Sequence, residues 1–259
     1  MPFAECGDVR IHYQWDGPEG APVVVLSNSL GTDLTMWDAQ ASAWSKNFRV
    51  LRYDQRGHGQ SSVTPGPYSV QQLGCDVVAL LESLGVKHAH FCGLSMGGQT
   101  GIWLGGNAPD RMGKLVLCST AAKIGTPESW ATRINLVKEA GMKTVAQQVL
   151  ERWFTADFRA KEPAKIDAVR QLLEKTDPQG YIANCEAVRD FDYRERVSKI
   201  ALPTLVISGS ADTSTPPAEG RFIAEQIQSA RFVELNAAHL SNVEAEACFT
   251  KEVGDFLAA

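Results

Sequence analysis

The chain has 259 residues, 44% hydrophobic and 21% charged, which is ordinary globular material with enough apolar mass for one large α/β domain or two small ones. Twenty-five Lys and Arg against 30 Asp and Glu leave a net charge of −5, and no Lys/Arg-rich run occurs, so no nucleic-acid partner is expected. The six cysteines (Cys6, Cys75, Cys92, Cys118, Cys185 and Cys248) are scattered without a C-x-x-C pair, and the first residues lack a basic region leading an apolar stretch. A reduced, cytoplasmic protein with no signal peptide and no membrane span is therefore expected.

Residues 9–15 alternate loosely and end at Asp16-Gly17-Pro18, which predicts an early strand of an antiparallel pair. Pro22-Val23-Val24-Val25-Leu26 is a continuous apolar run, the mark of a strand buried on both faces, and it breaks into the polar loop Ser27-Asn28-Ser29-Leu30-Gly31. A helical segment over 37–45 and a strand over 48–54 follow, the latter closed by Gln55-Arg56-Gly57-His58-Gly59-Gln60-Ser61. Ser69 and Gln72 have capping-box spacing ahead of a helical repeat that ends near Gly85.

An apolar run over 90–94 then leads into Gly93-Leu94-Ser95-Met96-Gly97, the Gly-x-Ser-x-Gly pattern of a nucleophile elbow. The elbow holds its serine at strained dihedrals, so the positions two before and two after must lack bulk. In the following helix Gly97, Gly101 and Gly105 recur every fourth residue, and this stripe predicts a helix backbone lying very close to a sheet. Residues 114–118 form another buried strand.

From about residue 125 to 197 short apolar runs vanish, and helical segments over 130–140, 144–154 and 166–173 predict an inserted helical cap. Strand-helix alternation resumes with strands over 203–208 and 230–235, a helix over 218–228, and a last helix opening with a possible second capping box, Ser241 and Glu244. The predicted fold is α/β, a mainly parallel, doubly wound sheet of about eight strands carrying a helical cap. Its parts are a first core segment 1–122, the cap 123–198, and a second core segment 199–259.

A serine hydroxyl needs a base, and the base needs a carboxylate to orient it. In an open α/β sheet the site forms beyond the carboxyl ends of the strands, which restricts the search to loops that follow strands. His239, in Asn236-Ala237-Ala238-His239, follows the last strand and is the base expected to reach Ser95. Asp212 follows the 203–208 strand, whereas the competing loop Ser119-Thr120-Ala121-Ala122 offers no carboxylate, so Asp212 is the acid. Glu244 and Glu246 are read as solvated or capping. The oxyanion would be held by the N–H groups of Met96 and, from the loop after the first buried strand, Leu30.

The Gly93-to-Gly98 elbow, the Tyr53-to-Ser61 segment, Gly209-Ser210-Ala211-Asp212 and His239, in this order, resemble the α/β-hydrolase superfamily from end to end. In that family the Asp54-to-Ser61 stretch is a turn, so Arg56 and His58 are taken as structural. Many relatives carry His-Gly in the oxyanion loop, where this chain has Asn28-Ser29-Leu30-Gly31. The Ser-Asn-Ser-Leu-Gly form, with Met36-Trp37, looks like the 3-oxoadipate enol-lactonases, which act in the bacterial catabolism of protocatechuate and catechol. The resemblance implies hydrolysis of a small lactone bearing a carboxylate, through an acyl-enzyme and without a metal or organic cofactor. It also implies a monomer or small homo-oligomer. The cap would recognise the carboxylate, with Arg133 as the charged contact and Trp130 and Trp153 lining the pocket. A carboxylesterase or C–C bond hydrolase on the same three residues, or a non-catalytic ligand-binding relative, are the alternatives.

Overall fold

The fold is known from a computed structural model that describes residues 2–259; Met1, the first residue of the N-terminal segment considered above, lies outside it. The strands are β1 (Phe3–Cys6), β2 (Val9–Asp16), β3 (Val23–Ser27), β4 (Arg49–Tyr53), β5 (Ala89–Leu94), β6 (Met112–Cys118), β7 (Thr204–Gly209) and β8 (Ala230–Leu235). They form one eight-stranded sheet in the order β1-β2-β4-β3-β5-β6-β7-β8. β1 with β2 and β2 with β4 pair antiparallel, and every later pairing is parallel.

The core helices are α1 (Asp38–Trp44), α2 (Val70–Ser83) and α3 (Met96–Asn107), with α4 (Pro127–Trp153), α5 (Ala156–Lys161), α6 (Pro163–Lys175) and α7 (Pro178–Asp190) inserted between β6 and β7. α8 (Pro217–Gln226), α9 (Ser241–Glu244) and α10 (Glu246–Ala258) complete the chain. The apolar runs are central strands because helices cover both faces there, and Val24, Val25, Leu26, Leu115, Val116 and Leu117 are buried. Cys92 and Cys118 sit among them as small hydrophobes, and all six cysteines are free thiols. Among the described residues no helix is long and apolar enough to cross a membrane.

The glycine stripe does what its spacing predicts. A Cβ on Gly101 would lie 2.8 Å from the Leu117 side chain, and one on Gly105 would lie 2.7 Å from that of Leu115. The inserted region also follows the predicted pattern, since the segments over 130–140 and 144–154 are the two halves of α4. They are separated at Gly141, whose φ of 73° and ψ of 176° suit glycine.

Four features differ from the sequence expectations. β1 is an additional strand, tied to β2 through a turn at Gly7 with φ 68°. α7 is a full helix, opened by Asp177, whose carboxylate accepts the Gln179 and Gly180 N–H groups, ahead of Pro178. The Ser241–Glu244 capping box does not form: α9 is a single turn with no side-chain cap, and the Glu244 carboxylate binds the Ala238 N–H and Thr155 instead. At α2 only half of the box exists, with the Ser69 hydroxyl accepting the Gln72 N–H at 3.1 Å.

Contact with backbone is less forgiving than contact with the end of a side chain. A Cβ on Gly97 would sit 2.3 Å from the Ser27 carbonyl oxygen, which cannot move without β3. Gly97→Ala is expected to lower unfolding stability by about 2–4 kcal/mol, and by more than Gly101→Ala, where flexible Leu117 and Phe91 side chains can give way. Urea melts showing Gly97→Ala within about 0.5 kcal/mol of the parent would contradict the close helix-sheet approach.

Candidate active site

Ser95 stands between the last residue of β5 and the first of α3. Its φ of 60° and ψ of −114° are strained for a residue with a side chain. The two elbow glycines are required by contact: a Cβ on Gly93 would lie 2.1 Å from the Gly97 carbonyl oxygen, and Gly97 abuts Ser27. The turn is pinned from outside as well. The Ser95 N–H donates to the Cys118 carbonyl at 2.8 Å, and the Thr120 hydroxyl donates to the Ser95 carbonyl at 2.7 Å.

Two further loops meet at the same end of the sheet. The loop after β7 and the loop after β8 are joined by Ser210 N–H to Leu235 O at 2.8 Å and Ala211 N–H to Ala237 O at 2.9 Å. This places Asp212 Oδ2 2.8 Å from His239 Nδ1, with both side chains buried. The other carboxylate oxygen accepts the Ser214 and Thr215 N–H groups at 2.8 and 3.0 Å, and the Thr215 hydroxyl donates to Oδ2 at 2.7 Å. Burial pushes the Asp212 carboxyl upward, but the His239 imidazole and the Thr215 donors outweigh it and hold its pKa below the usual value. A carboxylate at Nδ1 puts the imidazole proton there and leaves Nε2 free to accept one.

Ser95 and His239 line one cavity of about 260 Å³. Among the described residues the Ser95 hydroxyl has no hydrogen bond to the imidazole, whose Nδ1 faces Asp212 and Thr215.

Leu30 lines the same cavity, and Met96 opens α3 directly after Ser95. Among the described residues neither N–H has an acceptor, so both are available to a ligand oxygen. The two donor segments are braced against each other by the Gly97 N–H, which donates to Asn28 O at 3.1 Å. Asn28 itself is clamped, donating through Nδ2 to Tyr53 O at 2.9 Å and accepting from Trp37 Nε1 at 3.0 Å. His58, buried in the turn after β4, accepts the Gly31 N–H at Nε2 over 2.7 Å. It is structural, as its sequence setting suggested, and what it supports is the Leu30 loop.

The inserted helices close the cavity. Trp130, Arg133 and Trp153 all line it, and the Trp153 ring lies 5.9 Å from the His239 ring, centroid to centroid. The Trp130 indole N–H donates to Ile124 O at 2.7 Å, and the Arg133 guanidinium lies 5.4 Å from the Trp130 ring. A second cation, Arg152, lines the cavity too and escaped the sequence reading, since an arginine in a helix's last turn is unremarkable. Among the described residues Arg152 has no hydrogen bond or ion pair, and no Asp or Glu lines the cavity. Burial and the neighbouring Arg133 charge lower its pKa. Arg133 donates to the Tyr181 hydroxyl at 3.5 Å, and two guanidinium groups without a carboxylate facing one hole favour an anionic ligand. Among the described residues no group of three or more His, Cys, Asp or Glu side chains could hold a metal ion.

Burial lowers the pKa of His58 from 6.5 to about 4. The unfolded chain therefore binds this proton near pH 6.5 while the folded protein refuses it, so stability is complete above pH 6.5 and declines towards pH 4. The loss from this one group is on the order of 3 kcal/mol. His58→Gln, which keeps an acceptor for Gly31, is expected to flatten that decline in urea melts between pH 7 and about pH 4.5. An unchanged slope would exclude a buried neutral imidazole.

A sequence profile of the alpha/beta hydrolase fold family matches residues 22–246. The chain is 41% identical to 3-oxoadipate enol-lactonase 2 of Acinetobacter baylyi over 246 residues, covering 95% of this chain and 92% of that one. It is 30% identical over 240 residues to a putative carbamate hydrolase of a Caulobacter species, covering 90% of each. The crystal structure of the enol-lactonase from Burkholderia xenovorans LB400 superposes with a TM-score of 0.98 at 48% identity, over 100% of both chains. With profile, sequence relatives and solved structure agreeing over nearly its whole length, the chain belongs to the alpha/beta hydrolase fold family and is a carboxylic-ester hydrolase.

Proposed function

We propose that the enzyme opens 3-oxoadipate enol-lactone to 3-oxoadipate, a cytoplasmic step in aromatic-ring catabolism by the β-ketoadipate route. The observation that carries the reading is the pairing, in one cavity, of the Ser95–His239 end with two guanidinium groups, Arg133 and Arg152, that have no carboxylate partner among the described residues. A lactone with a carboxylate arm has one group for each end. Kinship with the enol-lactonases of Acinetobacter baylyi and Burkholderia xenovorans supports the same substrate.

In this mechanism His239 Nε2 takes the Ser95 proton as Oγ attacks the lactone carbonyl, and Asp212 stabilises the imidazolium. The Leu30 and Met96 N–H groups receive the negative oxygen, helped by the positive end of α3. The acyl–oxygen bond of the ring breaks, and the ring oxygen leaves as an enolate that takes up a proton and becomes a ketone. An enol is a better leaving group than a simple alcohol, so general-acid help matters less here than in ester hydrolysis. Water deprotonated by His239 then attacks the acyl-enzyme, Ser95 leaves with a proton, and 3-oxoadipate is released. Segment 123–198 acts as the cap, with Trp130 and Trp153 as walls and Arg133 and Arg152 as the carboxylate clamp.

The Caulobacter relative keeps a second reading open, another small ester or carbamate cleaved by the same three residues, and the clamp separates the two. Ser95→Ala is expected to lower kcat about a million-fold with the fold intact. Residual turnover of more than a few per cent would remove the serine mechanism. Arg133→Gln and Arg152→Gln are each expected to raise KM for the enol-lactone about tenfold while leaving p-nitrophenyl acetate hydrolysis within about twofold. Equal losses on both substrates, or no turnover of the enol-lactone by the parent protein, would favour the second reading.

A further inference from the structure

Glu244 has a bonding pattern that neither helix capping nor solvation explains. Its carboxylate accepts the Ala238 N–H at 2.9 Å, one residue before His239. It also accepts the Thr155 N–H at 3.3 Å, and the Thr155 hydroxyl donates to it in a short hydrogen bond. Thr155 lies two residues beyond the end of α4, 89 positions away in sequence. A parallel link runs beside this one, the Leu240 N–H donating to the Trp153 carbonyl at 3.2 Å. The residues on both sides of His239 are thus tied to the residues on both sides of Phe154, and Trp153 is held against the imidazole.

Asp212 restrains the imidazole only through Nδ1. That bond leaves the ring free to swing with its backbone, and the backbone of residue 238 is held by Glu244. We propose that Glu244 is a positioning residue for catalysis: it clasps the His239 loop to the end of the cap helix and so keeps Nε2 within reach of the Ser95 hydroxyl. The proposal rests on the roles given above to Ser95 and His239. It adds that the C-terminal end of α4 stays docked on the base through turnover. A displacement of the base of about 1 Å is enough to cost on the order of 100-fold in rate, so a clasp of this kind acts on kcat and not on substrate affinity.

The test compares Glu244→Ala, Glu244→Gln and Thr155→Val in the full chain, at a temperature where circular dichroism shows each variant folded. Two readouts are taken, kcat and KM for the enol-lactone and the rate of Ser95 labelling by a fluorophosphonate. Glu244→Ala is expected to lower kcat and the labelling rate about 10- to 100-fold, with KM within about twofold. Glu244→Gln keeps one acceptor oxygen and should recover to within about threefold of the parent. Thr155→Val should cost a few-fold in the parent and almost nothing in the Glu244→Ala background, because the two share one contact.

A folded Glu244→Ala with parental kcat and labelling, or a Gln variant as slow as Ala, overturns the proposal. Should Glu244→Ala fail to fold, the Gln and Val variants decide: parental labelling in both overturns it, and slowed labelling in Thr155→Val with near-parental Gln supports it. Labelling does not depend on the lactone, so an enzyme that ignores the lactone but labels fast at Ser95 sinks the substrate and leaves the clasp testable. A parent protein that does not label sinks the serine chemistry itself.

Discussion

The backbone of Ser95 is held where a side-chain-bearing residue is strained, at φ 60° and ψ −114°, and the rest of the site depends on that turn. The conformation survives because its surroundings over-determine it. Glycines at 93 and 97 let the turn close on itself and on β3, and the Cys118 carbonyl and Thr120 hydroxyl hold it from the neighbouring strand. The stripe of glycines along α3 lets the helix settle onto β5 and β6, and the helix thereby delivers its first N–H group beside the serine. Local strain, close packing and electrostatic placement are three consequences of the same few residues.

Around this turn the labour is divided between residues that touch the cavity and residues that aim them. Asn28 acts as a bracket between Trp37 and Tyr53. His58 supports Gly31, Thr215 supports Asp212, and Glu244 supports the backbone before His239. The cap contributes the opposite kind of feature, two like charges with no carboxylate partner among the described residues. Arg133 and Arg152 repel one another in a half-buried setting, a cost that an anionic group in the cavity relieves. Specificity on this account comes from the inserted helices and the chemistry from the core.

Much of this is legible in the sequence. Buried parallel strands are unbroken apolar runs, so β3, β5, β6 and β7 were recognisable, and with them the loops where a site must lie. That restriction led to residues 95, 212 and 239, and the structure puts Asp212 against His239 and both Ser95 and His239 on one cavity. What is not legible there has separate physical reasons. α7 packs Tyr181, Ala183, Cys185 and Val188 inward on more than one side, which blurs helical periodicity. β1 is four residues long, too short for alternation to register. Arg152 looks like any last-turn cation, and Glu244 looked like half of a capping box, because a partner 89 residues away leaves no local pattern.

The central claim is that the lactone carbonyl is transferred to Ser95 before water is added. Rapid acid quench of the enzyme during turnover of the enol-lactone, followed by peptide mass mapping, tests it directly. The account predicts an adduct with the mass of the intact lactone, confined to the peptide that contains Ser95, appearing and decaying fast enough to support kcat. Formation of 3-oxoadipate with no adduct at any quench time, or with the adduct on a different side chain, would contradict it.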